Sequence, residues 1–147
     1  MRAPWPGGIT YRCNQGNFGP YSHSNPFDCY AWDFDLPMNA PVVAATNGVI
    51  AFAGYKQTDG YGIRVRVRNI NGTYSLYAHL NQLFVQVGQS IKEGQLIGLA
   101  GNTGNTTGPH LHFSIINTKG ISLPSIFSDI GVPIEGKYYT SQNWIKS

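Results

Sequence analysis

Residues 63 to 80 read IRVRVRNINGTYSLYAHL, and this stretch decides the fold. Apolar and charged residues alternate over positions 63 to 68, which is the period of a β-strand with one buried and one exposed face. The pair Asn71-Gly72 follows, and this pair favours tight hairpin turns because both residues accept positive φ angles. The stretch therefore predicts two antiparallel strands joined by a hairpin, with the apolar residues of the first strand facing the core.

Three arginines occupy the other face of that first strand: Arg64, Arg66 and Arg68. Strand alternation predicts that their side chains lie on the outside of the domain. A solvated strand face is the more common explanation for such a row. A groove for an anionic substrate and a contact with an anionic polymer are the alternatives, and the sequence leaves them open.

The segments on either side of this stretch also indicate short strands. Residues 42 to 53 (VVAATNGVIAFA) place two apolar segments around the pair Asn47-Gly48, which predicts another hairpin. Residues 30 to 36 alternate aromatic and polar groups, and residues 84 to 100 are short apolar segments interrupted by glycine. No segment shows a helical period of useful length. We therefore expect an all-β fold, a compact antiparallel β-sheet domain with few or no helices.

Length and composition favour one folding unit. The chain has 147 residues, a size that suits one domain with one core. Its 18 glycines, 9 prolines and 9 tyrosines are typical of short strands joined by tight turns. We expect a single domain with an irregular N-terminal segment at residues 1–20, a core at residues 21–116 that holds the functional site, and a C-terminal edge segment at residues 117–147.

Charge and hydropathy argue against several classes of protein. A net charge of +3, from ten basic and seven acidic residues, is too small to indicate a nucleic-acid-binding surface. No run of about 20 apolar residues is present, so we expect no transmembrane segment. The first residues lack the apolar core of a secretory signal, and we therefore expect either a cytosolic chain or one whose targeting segment has been removed.

Two cysteines, Cys13 and Cys29, lie sixteen positions apart. A disulfide between them would close a short loop, stabilise the fold by about 3 kcal/mol and imply an oxidising compartment. We expect this disulfide, and two free thiols in one loop region are the alternative.

The residues that carry chemistry are concentrated among the histidines. In the segment His110-Leu111-His112, side chains two positions apart project from the same face of a strand, so both imidazoles point one way and Leu111 enters the core. His79 lies near the end of a predicted strand, and His23 lies in a loop. Paired imidazoles suit a metal ligand beside a group that accepts a proton, although a His-x-His pair alone is weak evidence.

A catalytic zinc site requires about three nitrogen or oxygen ligands and one open position for water. Two histidines and one aspartate would meet this need. Asp28, Asp33 and Asp35 lie close together in the sequence, and spacing alone does not choose among them.

Several motifs occur in combination. They are an Asp-Phe strand start at Asp33, the segment Tyr77-Ala-His-Leu80, a Gly-Asn-Thr-Gly loop from Gly101, and the segment Thr107-Gly-Pro-His-Leu-His-Phe113. Together they resemble the lysostaphin/LytM-type zinc endopeptidases, which cut bacterial peptidoglycan, and the resemblance extends over residues 21–116. It implies an antiparallel β-domain of the duplicated-hybrid-motif type, with an open substrate groove across one sheet.

The resemblance implies the metal ligands residue by residue. His112 resembles the second histidine of the family's His-x-His motif, and Asp33 resembles the aspartate of its Asp-Phe motif, both ligands of one zinc ion. The remaining ligand resembles His23, although nine residues separate it from Asp33 where the common pattern has three. Cys29 occupies the usual histidine position and is the alternative ligand, as a thiolate.

The other two histidines resemble the family's pair that does not bind the metal. This implies that His110 takes a proton from the attacking water, while His79 orients that water or stabilises the developing oxyanion; an exchange of these two roles stays open. Tyr21 and Tyr61 are candidates to hydrogen-bond the oxyanion or to line the groove. Ordinary surface tyrosines are the alternative.

The resemblance implies a zinc-dependent endopeptidase that hydrolyses peptide cross-links of bacterial peptidoglycan, with stem or cross-bridge peptides as its partners. Glycyl-glycine bridges and D-alanyl-diaminopimelate links are both compatible with it. We expect a monomer that acts in a secreted, periplasmic or cell-envelope location. A non-catalytic envelope module that binds peptidoglycan or activates a partner hydrolase is the alternative function, and a zinc-dependent amidase or carboxypeptidase is a third.

Overall fold

The structure is a computed structural model that describes residues 1–57 and 59–145. These residues contain no helix, and therefore no helix long and apolar enough to cross a membrane. They form eleven strands: β1 (Thr10–Gln15), β2 (Trp32–Phe34), β3 (Pro41–Val43), β4 (Gly48–Lys56), β5 (Gly62–Arg68), β6 (Tyr74–Leu83), β7 (Ser90–Ile91), β8 (Leu96–Ala100), β9 (Leu111–Ile116), β10 (Ser122–Leu123) and β11 (Tyr138–Thr140).

The strands join in one connected sheet. Its main path has the order β11-β1-β2-β9-β6-β5-β4-β7, with β10 beside β9, β8 beside β6 and β3 beside β8. Every pairing between these strands is antiparallel. The prediction of an all-β antiparallel domain is therefore confirmed.

The hairpin predicted around Asn71-Gly72 is present. β5 and β6 pair as far as Arg68 opposite Tyr74. Gly72 has a φ of 85°, and its amide donates to the Asn69 carbonyl within the turn. Local turn chemistry and strand pairing agree at this point.

The hairpin predicted around Asn47-Gly48 is wrong. β3 pairs with β8, and β4 pairs with β5 and β7, so the strands on either side of this pair are not neighbours. The connecting backbone also bonds elsewhere, since the Ala44 amide donates to the Gln95 carbonyl. Partners from distant parts of the chain therefore override a local turn signal.

The N-terminal segment contributes more structure than the sequence indicates. Residues 1–20, predicted to be irregular, contain β1, which pairs with β2 on one side and β11 on the other. Trp5 is fully buried in the core, and its indole nitrogen donates to the Ile9 carbonyl at 2.8 Å. The segment thus supplies a strand and a core side chain.

The aromatic core lies against one face of the central strands. Phe113 of β9 packs against Trp32, Tyr77 and Phe127, with ring centroids 6.4, 5.1 and 5.5 Å away. Because side chains alternate along a strand, the neighbouring His112 projects from the opposite face. Burial of Phe113 in the core therefore determines that His112 lies on the opposite face of the sheet.

The arginine row of β5 is only partly exposed. Arg68 is exposed and Arg66 is half-buried, but Arg64 is fully buried, contrary to the prediction. Its guanidinium donates to the Asp59 carboxylate at 2.6 Å and to the Lys56 carbonyl at 3.0 Å. The loop before β5 thus supplies buried partners that strand alternation does not reveal.

The disulfide predicted between Cys13 and Cys29 is absent, and both cysteines are free. Cys13 lies on β1 opposite Phe34, fully buried in the core, and burial raises the pKa of its thiol to about 12. Cys29 is half-buried, with its sulfur 3.5 Å from the Ser122 hydroxyl of β10. The prediction is wrong because one thiol enters the core and the other contacts β10. The disulfide was the argument for an oxidising compartment, and that argument no longer holds.

A close approach at the start of β5 allows a stability prediction. Gly62 has a φ of 67°, and a Cβ at this position would lie 2.5 Å from the carbonyl carbon of Thr103. We expect Gly62→Ala to cost about 1 kcal/mol for its positive φ and roughly 1 to 3 kcal/mol more for the overlap.

Gly72→Ala is the matched control for that substitution. Gly72 also has a positive φ, but an added Cβ would meet nothing within 4 Å. Denaturant unfolding should therefore show a loss of about 1 kcal/mol for this variant. Equal losses in the two variants would show that the Thr103 backbone moves aside without cost.

Candidate active site

Asp33 and His112 meet because β2 pairs with β9. The two residues are opposite each other in the register of these strands, and Ala78 of β6 lies opposite His112 on its other side. Cross-strand partners share one face of a sheet. The Oδ1 atom of Asp33 lies 3.1 Å from Nδ1 of His112. Strand pairing thereby brings together two side chains that are far apart in sequence.

His23 reaches the same point from the loop between β1 and β2. Its side chain is fully buried, and its Nε2 atom lies 3.4 Å from Oδ2 of Asp33. Its Nδ1 atom lies 2.9 Å from the Gly16 carbonyl, so Nδ1–H donates there and the Nε2 lone pair faces Asp33. The long separation between His23 and Asp33 in sequence therefore does not keep them apart.

These three side chains form the one group of potential metal ligands within residues 1–57 and 59–145. One ligand atom from each lies within 4.8 Å of the others. The Nε2 atom of His23 is buried without a hydrogen-bond partner, an arrangement that is costly unless another group completes it. Two imidazole nitrogens and one carboxylate oxygen match the donors of a catalytic zinc site. The residues therefore fit a metal ion, and Cys29 is not part of the group.

The opposite charges of His112 and the neighbouring aspartates keep the imidazole protonated and the carboxylates ionised in the metal-free protein. Burial lowers the pKa of His112, but hydrogen bonding and charge from Asp28 and Asp33 outweigh it and raise the pKa to about 9. Burial raises the pKa of Asp33, yet the hydrogen bond and the charge of His112 hold it well below its usual range. Asp33 is thus a carboxylate at neutral pH, as a metal ligand must be.

Metal affinity is expected to rise with pH. In the metal-free protein His112 is protonated below a pH of about 9, and a metal ion must displace that proton from Nδ1. The apparent association constant should therefore increase about tenfold per pH unit from about pH 6 to about pH 9 and then level off. Competition against a chelator of known pH dependence measures this, and a constant affinity over that range would contradict it.

A bulge in β6 turns His79 toward the same face. In the β5–β6 pairing, Ile63 lies opposite Leu80 and Val65 opposite Tyr77, so two residues of β6 oppose one of β5. His79 has a φ of 62°, in the left-handed region that residues other than glycine rarely adopt. Strict alternation would place His79 with Tyr77 on the core side. The bulge therefore determines which face receives this imidazole.

His79 lies beside the ligand group without belonging to it. Its Nδ1 atom lies 2.6 Å from the Thr103 carbonyl, so Nδ1–H donates there and Nε2 is left as an acceptor. The ring lies 6.0 Å from that of His112 and 4.7 Å from that of His110. Burial, together with the charges of His112 and His110, lowers the pKa of His79 to about 4. The imidazole is therefore neutral at neutral pH.

His110 stands next to His79 and Asp33. Its Nε2 atom lies 3.6 Å from Oδ1 of Asp33, while Nδ1 lies 3.0 Å from the Gly108 carbonyl. His110 immediately precedes β9, and it lines an open cavity of about 510 Å³ together with His112, as expected for residues two positions apart in extended chain. The loop of residues 105–109 forms another part of its wall.

Gln15 is a functional candidate that the sequence did not indicate. Its side chain is buried, and its amide nitrogen donates to Oδ2 of Asp33 at 2.9 Å and to the Ser22 hydroxyl at 2.8 Å. Its amide oxygen accepts the Ser22 backbone N–H at 2.9 Å. One side chain thereby ties Asp33 to the loop that carries His23. A glutamine on a strand belongs to no motif, so only the contacts reveal this role.

Asp28 faces His112 from the side away from Asp33. Its Oδ1 atom lies 3.4 Å from Nε2 of His112 and 2.6 Å from the hydroxyl of Tyr61, which donates to it. A metal ligand that binds through Nδ1 keeps its proton on Nε2, and the Asp28 carboxylate is the anion that faces this atom. Tyr61 is thereby engaged with Asp28, whereas Tyr21 is exposed and lines the cavity.

Asp28→Ala is expected to weaken metal binding by about 10- to 100-fold, because His112 loses the acceptor that fixes its tautomer and ring orientation. Asp28→Asn retains an acceptor oxygen and should lie between this variant and the parent. Chelator competition measures both, with Asp35→Ala as the control, since Asp35 is a partly exposed acid that pairs with Arg12. An affinity of Asp28→Ala equal to that of the parent would show that Asp28 does not position His112.

Comparison with known proteins places this arrangement among peptidases. The profile of peptidase family M23 matches residues 28–123. Peptidoglycan DD-endopeptidase ShyC of Vibrio cholerae is 35% identical over 105 residues, which cover 67% of this chain and 24% of that protein. Glycyl-glycine endopeptidase ALE-1 of Staphylococcus capitis is 38% identical over 97 residues, which cover 65% of this chain and 27% of that protein. The chain thus spans about a quarter of the length of the curated relatives it matches.

The fold agrees with a solved peptidase domain. The catalytic domain of the antimicrobial peptidase lysostaphin from Staphylococcus simulans matches with a TM-score of 0.64 and 28% identity, over 79% of this chain and 87% of that one. The family profile covers both Asp33 and His112, as well as the two other histidines of the cavity. The chain belongs to peptidase family M23.

Proposed function

We propose that this domain is a zinc-dependent endopeptidase that hydrolyses peptide cross-links of bacterial peptidoglycan. The observation that carries the proposal is the convergence of His23, Asp33 and His112 beside two further imidazoles at an open cavity. Membership of peptidase family M23 supports the reaction class. The retained set of three ligands argues against the alternative of a non-catalytic envelope module.

We assign the metal site to Nε2 of His23, a carboxylate oxygen of Asp33 and Nδ1 of His112. A zinc ion held there supplies Lewis acidity, which polarises a scissile carbonyl and lowers the pKa of a water molecule toward ~7. The chain sets the protonation state of its ligands: the Gly16 carbonyl accepts from His23, and Asp28 faces the remaining proton of His112.

We assign proton transfer to His110 and positioning to His79. Each imidazole donates Nδ1–H to a backbone carbonyl and so presents Nε2 as an acceptor. A general base works best when its pKa lies near the working pH, and the pKa of His79, lowered to about 4, makes it a poor base. His110 therefore takes the proton of the attacking water and returns it to the leaving amine, while His79 orients the water or the oxyanion.

The substrates we propose are stem or cross-bridge peptides, because an open cavity accommodates an extended chain. Such substrates place the action of a monomeric domain outside the cytoplasm, in a secreted, periplasmic or cell-envelope location. The relatives are named for both DD-endopeptidase and glycyl-glycine endopeptidase activity, so both cross-link types belong in the test.

Mass spectrometry of fragments released from purified cell walls of both cross-link types tests the function, with a chelator-treated sample as the control. We expect metal-dependent release of fragments cut within the cross-link. Free stem peptides would instead indicate an amidase, and single terminal alanines would indicate a carboxypeptidase. Binding to the walls without any release would support the non-catalytic alternative.

A further inference from the structure

Arg66 is a partly buried arginine of β5 for which the described part of the chain supplies no hydrogen-bond or ion-pair partner. It is half-buried, its Nε atom is buried without a hydrogen-bond partner, and no ion pair of its guanidinium is found within residues 1–57 and 59–145. Arg64, by contrast, pairs with Asp59, and Arg68 is exposed at the end of the strand. A partly desolvated guanidinium without a partner favours an anion, above all a carboxylate that can accept two parallel hydrogen bonds.

Arg66 lines a second cavity, of about 370 Å³. Lys119 adds another cation to the lining, and Leu76 and Ile116 supply apolar surface. A cavity of this size holds a group as large as one or two amino-acid residues. Its combination of cations and apolar surface suits a residue that carries a carboxylate.

Two carboxylates also line this cavity, but both have partners. Asp59 is paired with Arg64, and Asp28 accepts the Tyr61 hydroxyl. No ion pair joins either carboxylate to Arg66 within the described part of the chain, so the donors of the Arg66 guanidinium are left for another acceptor. Asp28 and Tyr61 also contact His112, so the cavity adjoins the candidate metal site.

Strand register relates the cavity to that site. Ser114 lies two residues beyond His112 on β9, Leu76 of β6 is opposite Ser114, and Arg66 of β5 is opposite Leu76. These side chains share one face of the sheet. Two strand spacings across the sheet and two residues along the strand separate the Cα atoms of His112 and Arg66 by roughly 12 Å. An extended peptide covers that distance in about three or four residues.

We propose that the Arg66 cavity is a substrate subsite that binds a free carboxylate of the peptidoglycan stem peptide, about three residues from the scissile bond. This assignment rests on the proposed endopeptidase function. A glycine bridge carries no carboxylate along its length, whereas stem peptides do. The subsite therefore selects cross-links in which the stem peptide itself lies across this face of the sheet.

Two synthetic cross-linked stem peptides test the subsite, one with free carboxylates and one with the same groups amidated. The zinc-loaded parent is expected to cut the free acid with a kcat/KM about tenfold or more above that of the amide. Arg66→Gln should remove this preference by lowering only the value for the acid. Arg68→Gln, the same change on the same strand, should retain it, and Arg66→Lys should recover part of it because the charge remains without the paired donors.

Equal kcat/KM values of the parent for the two peptides, or an equal loss on both in Arg66→Gln, would overturn the subsite and leave the endopeptidase function standing. Cleavage of neither peptide would count against the proposed function instead. Calorimetric binding of the same peptides then decides the subsite. Preferential binding of the acid that Arg66→Gln abolishes supports it, and equal binding overturns it.

Discussion

Asp33→Ala is expected to lose metal binding and peptidase activity together. The Asp33 carboxylate lies at the centre of the site, with Oδ1 3.1 Å from Nδ1 of His112 and Oδ2 3.4 Å from Nε2 of His23. Its removal leaves two imidazoles and no anion to offset the charge of a metal ion. Activity should fall on the order of 10⁴-fold or more, because the Lewis acid is lost with the ligand.

Metal content after gel filtration and hydrolysis of cell walls measure this result. Asp35→Ala is the matched control, because Asp35 lies two positions away, is 39% exposed at its side chain and pairs with Arg12. Circular dichroism shows whether the Asp33→Ala variant is folded. If it is not, Asp33→Asn is measured in its place, because asparagine keeps the shape of the side chain. A folded Asp33 variant that keeps one equivalent of zinc would contradict the assignment of this ligand.

His110→Ala should separate metal binding from turnover. His110 is not among the three clustered ligand residues, yet its Nε2 atom lies 3.6 Å from Oδ1 of Asp33. The variant should therefore bind zinc as the parent does. Loss of a general base typically costs 10² to 10⁴ in rate, and we expect turnover to fall on that order.

The comparison requires parent and variant at equal zinc content, with rates measured on the same cell walls. His79→Ala provides the second arm, since the proposed positioning role predicts that His79 also contributes without holding the metal. A zinc-loaded His110→Ala variant that digests the walls at the parental rate would show that the base lies elsewhere. A loss of zinc from that variant would show instead that His110 is a ligand.

The His110-Leu111-His112 segment illustrates what a local pattern can predict. The period of two residues in a strand requires that the two imidazoles share a face, and the structure places both at one cavity with Leu111 fully buried. Nothing in that period states which strand lies beside this one. The register that sets Asp33 opposite His112 depends on packing between distant segments.

Two predictions made from local signals failed because distant segments of the chain decided the outcome. The Asn47-Gly48 pair has the chemistry of a hairpin turn, but β3 and β4 bond to other strands. Cys13 and Cys29 are near in sequence, yet Cys13 is buried in the core. Spacing along the chain therefore did not determine proximity in either case.

The sequence by itself determined the fold class and the candidate chemistry, because residue periodicity and residue type are local properties. Alternation and turn residues suffice for an antiparallel β-domain, whereas the ligands of the candidate metal site came from the resemblance of the motifs to lysostaphin/LytM-type endopeptidases. Only the tertiary structure decided how these groups are aimed: the β6 bulge that turns His79, the Gln15 amide on Asp33 and the Asp28 carboxylate beside His112. Their positions follow from strand register and burial, which arise when segments far apart in the chain pack together.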